Sequence, residues 1–273
     1  MADWTAGWSR QWPERDDGIL VLSGDDLLTP ESGWLHRWES VQDRLADGSE
    51  PVYVGSLSGQ TVYVAELHPE HSLNGVERLS KREAVLTAAD ESAAMIGTAL
   101  QVQQWWRDHR YCGRCGQPTG FHPAERARWC DHCGIPWYAR LAPCVIVVIR
   151  RGDQFLLARS SRTRRYFFSL IAGFVEPGES AEQAVAREVM EETGLQVTNV
   201  RYRGSQPWPF PHQLMLGYFA DYVAGDLELQ EDELAEAGWF SPGELPPVPP
   251  ETTIAGRLIR RMEQEINGEE PGH

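Results

Sequence analysis

Apolar and polar positions along the chain fall into short apolar runs and longer amphipathic stretches. Two runs, "VYVGSL" at 52–57 and "TVYVAEL" at 61–67, are rich in β-branched residues and flank a short polar break, which predicts a strand hairpin. The stretch that follows, "REAVLTAADESAAMIGTALQVQQWWRDH" at 82–109, has helical composition. The first part of the chain is therefore predicted to contain both strands and helices.

The second half of the chain repeats this mixture in another order. Four segments have strand character: "CVIVVIR" at 144–150, "QFLLAR" at 154–159, "QVTNVRYRGSQ" at 196–206 and "LMLGYFADYV" at 214–223. Two segments have helical patterns: "SAEQAVAREVMEET" at 180–193 and "ETTIAGRLIRRMEQEI" at 251–266. Strands on both sides of one central helix, with a second helix at the end, predict a mixed α/β sandwich.

Length and charge set the broad class. A chain of 273 residues with 41% hydrophobic residues can hold two domains with a small insert, for which we predict the ranges 1–108, 109–141 and 142–273. No apolar run reaches 18 residues and the N-terminal stretch lacks the features of a secretory signal, so we expect a cytoplasmic protein without a membrane span. A net charge of −15 argues against nonspecific nucleic-acid binding.

Four of the five cysteines form two knuckles, "CGRC" and "CDHC", with fourteen residues between them: Cys112, Cys115, Cys130 and Cys133. Four thiolates at this spacing can close a tetrahedron around Zn²⁺ without leaving an open coordination position, which predicts a structural zinc ribbon. Disulfides or free thiols are the alternative, and a cytoplasmic location disfavours disulfides. Cys144 lies in a buried-strand pattern and is expected to be core.

The stretch "GFVEPGESAEQAVAREVMEETGL" at 173–195 concentrates acidic residues on one helix face. Glu188, Glu191 and Glu192 are spaced i, i+3 and i+4, so they repel one another unless cations neutralise them. Their oxygens suit Mg²⁺ or Mn²⁺, whereas the alternative is a solvated acidic face. We expect Arg187 to lie on a different face from Glu191 and to reach back to Glu179.

The start and the buried side of this helix can also be predicted. Ser180 and Gln183 fit a capping box. The apolar residues of the same stretch are expected to face the core: Ala181, Ala184, Val185, Val189 and Met190.

Together, Gly173, Glu179, Arg187, Glu188, Glu191, Glu192 and Gly194, with Val189 and Leu195, match the Nudix box at every position. This resemblance implies a C-terminal Nudix α/β/α sandwich that hydrolyses nucleoside diphosphates linked to another moiety. It implies that Glu188 and Glu192 bind the catalytic metal, and that Glu191 is a further ligand or the base that activates water.

A second motif, "SQPWPFPHQ" at 205–213, follows the box and resembles the S-Q-P-W-P-F-P-x-S array of the NADH pyrophosphatase family. That family also has a zinc ribbon directly before its Nudix domain and a less distinctive N-terminal α+β domain. Alternating prolines stiffen the stretch, so two aromatic rings can project and stack on a base; a stiff connection with core aromatics is the alternative. The candidate substrate-binding positions here are Gln206, Pro207, Trp208, Pro209, Phe210, Pro211, His212 and Gln213, the last replacing the family's serine.

The same resemblance implies further site residues. Glu233 stands where the family has an additional metal carboxylate, and Ala172 and Ala255 match positions whose backbone contacts the nucleotide. Three more positions match substrate contacts, the last of them only after one insertion: Glu125, Tyr138 and Arg82. The family is typically homodimeric, and the tryptophan-rich N-terminal part is a candidate interface.

We therefore expect hydrolysis of NAD(H) to NMN(H) and AMP. The first alternative is hydrolysis of ADP-ribose or another nucleoside diphosphate derivative. Removal of NAD caps from RNA uses the same chemistry, and a basic patch of Arg162, Arg164 and Arg165 could hold an RNA backbone. A non-catalytic nucleotide sensor is disfavoured because every box glutamate is present.

Overall fold

The structure is a computed structural model that describes residues 3–46, 49–68, 70–163 and 166–269. It divides into two units. The first comprises the chain up to Arg140 together with Pro209–His212, and the second comprises Leu141–Trp208 together with the chain from Gln213 onward. The predicted domain ranges stay predictions. Over the described residues, no helix combines the length and apolar character that a bilayer crossing requires.

The first unit is built on a sheet that contains the predicted hairpin. Its strands within the described residues are β1 (Trp4–Ala6), β2 (Gly18–Ser23), β3 (Asp26–Pro30), β4 (His36–Arg37), β5 (Val52–Leu57), β6 (Gln60–Glu66) and β7 (Val76–Ser80). Their order is β1-β5-β6-β2-β3-β7, with β4 paired to β2. Strands β5 and β6 pair antiparallel, which confirms the hairpin.

Helices cover this sheet. The short α1 (Trp38–Val41) is followed by a 3₁₀ turn at Gln42–Arg44, and the predicted helical stretch forms α2 (Lys81–Thr87) and α3 (Asp90–Asp108). Ser80 caps α2 by accepting a hydrogen bond from the Glu83 amide. Buried residues of α3, including Met95, Ile96 and Trp106, pack with sheet residues in one hydrophobic cluster.

The ribbon region has three short strands, β8 (Gly120–Phe121), β9 (Ala127–Cys130) and β10 (Ile135–Tyr138). Arg128 supports it from the interior. Its guanidinium lies 3.8 Å from the Trp106 ring centroid and donates to the Thr119 hydroxyl at 2.7 Å and the Thr119 carbonyl at 2.6 Å. A buried charge is stable only when paired or hydrogen-bonded, and these contacts supply that.

The second unit is a mixed sheet between two helices. Its elements are β11 (Ala142–Arg151), β12 (Gln154–Ser160), β13 (Ile171–Phe174), α4 (Ala181–Thr193), β14 (Gln196–Trp208), β15 (Gln213–Ala224), β16 (Leu234–Phe240) and α5 (Ile254–Asn267). Within the described residues the strand order is β14-β15-β11-β12-β16, with β13 paired to β11. Strands β11 and β15 are parallel.

Alternating residues of β11 serve the two faces of this sheet. Val145, Val147 and Ile149 pack with α4, whereas Ile146 and Val148 pack with α5. The arrangement confirms the predicted α/β/α sandwich. Among the predicted apolar residues of α4, Ala184, Val185 and Val189 are buried and Ala181 is partly buried, but Met190 is 42% exposed. The prediction for Met190 is wrong, because its position faces away from the sheet.

Candidate active site and zinc centre

Helix α4 begins and ends through local contacts that the box sequence encodes. The Ser180 hydroxyl accepts from the Gln183 amide and the Gln183 side chain accepts from the Ser180 amide, so the capping box is confirmed. At the other end Gly194 adopts a left-handed conformation with φ of 71°, which favours glycine. The helix is thereby fixed in length between Ser180 and Gly194.

The three clustered glutamates differ in burial. Glu192 is only 8% exposed and the Glu188 side chain 14%, whereas the Glu191 side chain is 55% exposed. Burial, followed by the negative charges of Glu188 and Glu233, raises the pKa of Glu192 to about 7. Gly173 of β13 lies against this cluster so closely that an added Cβ would overlap the Glu188 carboxylate. The box glycine is therefore required for space.

Arg187 holds the cluster to the preceding loop. Its guanidinium donates to both Glu179 oxygens at 3.1 and 2.5 Å, and these two bonds lower the pKa of Glu179. The guanidinium donates to the Phe174 carbonyl at 2.8 Å as well. It also donates to Glu188 at 2.8 Å and Glu191 at 3.1 Å. The predicted contact with Glu179 is present. The prediction that Arg187 and Glu191 occupy different faces is wrong, because four residues make about one helical turn.

Glu233 joins the cluster from the loop before β16. Its side chain forms an ion pair with Arg162, and its carbonyl accepts from the Ser161 amide at 2.8 Å. The loop that carries Glu233 contacts the end of α4, because the Gln230 amide donates to the Glu192 carbonyl at 3.0 Å, and the charge of Glu233 contributes to the raised pKa of Glu192. The role of Glu233 as a metal ligand stays a prediction. Of the predicted basic patch, Arg162 is engaged in this pair, and Arg164 and Arg165 lie outside the described residues.

The proline-rich array forms a hairpin rather than a free loop. Gln206, Pro207 and Trp208 end β14, residues 209–212 form the turn, and Gln213 begins β15. Strand β14 is at the edge of its sheet, where the missing amide of proline is tolerated. The Trp208 ring is partly buried against the cluster that includes Ala255, and Ala172 packs on the same cluster.

Gln206 makes two hydrogen bonds to the start of α5. Its side-chain oxygen accepts from the Ile254 amide at 2.6 Å, and its nitrogen donates to the Thr252 carbonyl at 3.0 Å. Thr253 caps the helix by accepting from the Gly256 amide. The side chain of Gln206 therefore fixes the backbone around Ala255, a contact that sequence reasoning missed because the two segments are 48 residues apart.

The remaining predicted substrate contacts lie in the first unit. Tyr138 donates to Glu125 at 2.8 Å, which raises the pKa of the tyrosine. The Arg82 guanidinium lies 5.6 Å from the Phe210 ring centroid, and Phe210 packs against the hydrophobic cluster of α3. In the same turn Pro209 is buried, Pro211 is exposed, and burial lowers the pKa of His212.

The four knuckle cysteines converge as predicted. Their sulfur atoms all lie within 4.8 Å of one another, with 4.0 Å between Cys112 and Cys133 and 3.6 Å between Cys115 and Cys130. A tetrahedron with Zn–S bonds of about 2.3 Å has S–S edges of about 3.8 Å, so the set fits zinc. Burial raises the pKa of Cys112, but hydrogen bonds from the Arg114 and Cys115 amides outweigh it and lower that pKa to about 6.

Two family models match the chain. The NADH pyrophosphatase zinc ribbon domain matches residues 107–138 and the NUDIX domain residues 140–262. A Pseudomonas entomophila (strain L48) protein named NAD-capped RNA hydrolase NudC is 41% identical over 256 residues, covering 93% of this chain and 89% of the relative. The chain belongs to the NudC family of Nudix hydrolases. A family member from Pseudomonas aeruginosa (strain LESB58), with the same name, is 47% identical over 88% of this chain and 84% of its own.

A solved structure shares this fold over part of the chain. A NUDIX hydrolase from Nitrosomonas europaea superposes with a TM-score of 0.51 at 21% identity, covering 60% of this chain and 96% of that one. Likeness at this identity shows the fold alone. Membership in the NudC family rests on the curated relatives.

Proposed function

We propose that this protein hydrolyses the diphosphate of NAD(H) to NMN(H) and AMP, and removes NAD caps from RNA 5′ ends. The observation that carries the proposal is the complete carboxylate cluster of Glu188, Glu191, Glu192 and Glu233 in a chain that also has the array from Gln206 to Gln213. Relatives that are 40–47% identical to this chain over 240–258 aligned residues are named for NAD-capped RNA hydrolysis.

The cluster suits Mg²⁺ or Mn²⁺. Its carboxylates lie close enough for their charges to raise the pKa of the buried Glu192, and hard oxygen ligands of this kind are what these ions prefer. Glu188, Glu192 and Glu233 would hold the metal, with Glu191 a further ligand or base. When bound, such an ion offsets charge on the diphosphate and lowers the pKa of a water molecule.

The remaining roles belong to side chains that position these groups. Arg187 and Glu179 fix the loop before α4 to the cluster, and Gln206 fixes the backbone at Ala255. Water attacks one phosphorus of the substrate, the P–O bond to the other phosphate breaks, and two monophosphates leave. Trp208 and the adjoining array residues, with Ala172, Glu125, Tyr138 and Arg82, are the proposed substrate contacts.

A product assay tests the proposal. Purified protein with added Mg²⁺ or Mn²⁺ is incubated with NADH, NAD⁺, ADP-ribose, a diadenosine polyphosphate and NAD-capped RNA, and the products are resolved by chromatography. We expect the wild type to release NMN(H) and AMP from the dinucleotide, and the Glu192→Gln variant to release neither product. Turnover of ADP-ribose alone would replace the proposal by hydrolysis of another nucleoside diphosphate derivative.

Two further features stay predictions, a homodimer and a cytoplasmic location. Trp12 is 60% and Trp8 39% exposed, as expected if the N-terminal part is covered by a second copy. Sedimentation of the wild type and of Trp12→Ser tests the homodimer. A wild-type monomer at micromolar concentration would contradict it.

A further inference from the structure

A polar cleft lies in the second unit, away from the carboxylate cluster. Its volume is about 520 Å³, and Arg150, Arg151, Asp153 and Arg201 are among the residues that line it. Strand β11 connects the two places, because Val145 pairs with Gly173 beside Glu188. The five steps along the strand from Val145 to Arg150 span about 17 Å at roughly 3.3 Å per residue, so the cleft is a separate surface.

One of its arginines is already neutralised. Arg201 forms two parallel hydrogen bonds to Asp221, at 2.9 and 3.1 Å, and Asn199 donates to the same carboxylate at 2.7 Å. A bidentate pair of this kind is rigid and contributes little net charge. The charge of the cleft therefore depends on Arg150, Arg151 and Asp153.

Arg150 and Arg151 make no ion pair with any described residue. Arg150 donates through Nε to the Gly152 carbonyl at 2.8 Å, which leaves both of its Nη groups without a hydrogen-bond acceptor among those residues. The Arg151 guanidinium lies 4.0 Å from the Trp239 ring centroid and 5.8 Å from that of Tyr222. Both arginines line the cleft, and two arginines without a carboxylate partner at one cleft are notable in a chain with 40 acidic and 25 basic residues.

Such an arrangement favours phosphate. The planar guanidinium presents paired N–H groups that match phosphate oxygens, and stacking on an aromatic ring reduces the entropy lost on binding. Arg201 is pre-engaged and Asp153 opposes an anion, so a single phosphodiester group is matched better than a highly charged ligand.

We propose that this cleft binds backbone phosphates of the RNA that follows the NAD cap. The inference rests on the proposed function, since it needs a substrate longer than the dinucleotide. An RNA whose cap occupies the carboxylate cluster crosses the distance to Arg150 within a short run of nucleotides. NADH lacks the nucleotides that follow the cap, so the inference assigns a gain from the cleft to the RNA substrate alone.

Charge-removing and charge-restoring variants test the cleft. Arg150→Gln combined with Arg151→Gln should lower kcat/KM for NAD-capped RNA by about tenfold or more, through loss of charge-assisted hydrogen bonds, and leave kcat/KM for NADH unchanged. The affinity for RNA should also depend less on salt. The slope of the logarithm of the binding constant against the logarithm of salt concentration should become shallower by about 0.7 for each lost phosphate contact. Asp153→Asn, which removes a negative charge from the cleft, should raise kcat/KM for NAD-capped RNA. Arg10→Gln, which removes an exposed charge from the first unit, is the matched control.

Each outcome decides the inference. Equal losses on RNA and NADH, or no loss on either, would overturn it. Turnover of neither substrate by the wild type would instead refute the proposed function, and binding of a labelled uncapped RNA to wild type and double variant then tests the cleft by itself. Calorimetry with inorganic phosphate separates the two sources of anion. Phosphate bound by the wild type and not by the double variant, with RNA binding unchanged, would assign the cleft to a free anion and overturn the RNA assignment.

Discussion

Replacing Glu192 by glutamine tests whether the carboxylate cluster is under electrostatic stress without divalent ions. The folded state raises the pKa of Glu192 from its ordinary value of 4.5 to about 7, chiefly by burial and then by Glu188 and Glu233. At about 1.4 kcal/mol per pKa unit, this interval corresponds to at most about 3 kcal/mol. Because the folded pKa is the higher one, this stability is fully present below pH 4.5 and is lost as the pH rises through about 7.

The variant cannot titrate at this position, so it should escape that loss. We expect Glu192→Gln to be more stable relative to the wild type at about pH 8 than at about pH 5, by up to about 3 kcal/mol. The assay is urea unfolding of zinc-loaded protein in buffers free of Mg²⁺ and Mn²⁺, followed by tryptophan fluorescence. Glu182→Gln, an exposed change on the same helix, should show no such difference. Added Mn²⁺ should stabilise the wild type more than the variant.

One result would refute this reasoning. If the stability difference between Glu192→Gln and the wild type is the same at both pH values, Glu192 is not held at a raised pKa. The carboxylates would then be adequately solvated, and neutralisation by metal would no longer explain why the cluster is tolerated.

Three further changes address the box, the ribbon and the array. Gly173→Ala places a Cβ on the Glu188 carboxylate, so kcat should fall about a hundredfold, whereas the melting temperature of the zinc-loaded protein should change little. An unaltered kcat would show that Glu188 tolerates displacement. Cys112→Ser should lose about one zinc per chain by elemental analysis and unfold the ribbon, and a wild type without zinc would contradict the site. Trp208→Ala should lower kcat/KM for NADH about 5- to 150-fold, while Gln213→Ser preserves or improves it; unchanged kinetics in Trp208→Ala would leave the array a structural hairpin.

The parts of the fold that sequence predicted are those encoded by local spacing. The capping box at Ser180 and the two cysteine knuckles depend on residues a few positions apart, and their geometry follows from helix periodicity and tetrahedral coordination. Pairing of β5 with β6 was equally local. By contrast, the parallel pairing of β11 with β15 joins segments about seventy residues apart, and periodicity alone does not select the partner.

Within the site, the errors have the same physical origin. Met190 was assigned to the core by its apolar side chain, although its place on the helix faces solvent. The role of Gln206 as a substrate contact stays a prediction, but its two hydrogen bonds to the start of α5 could not be predicted from the motif to which it belongs. A side chain that satisfies a distant backbone leaves no trace in local sequence.

The turn of the array has a consequence for how this chain can be cut. Pro209–His212 belong to the first unit, and Phe210 packs in the hydrophobic cluster of α3, although both flanking strands belong to the second. A gene fragment beginning at Leu141 would encode every candidate catalytic carboxylate, but its product would display Phe210 and Pro209 without their apolar neighbours. Such a fragment would be prone to aggregate on expression, so the boundary that looks natural along the chain is a poor place to truncate it.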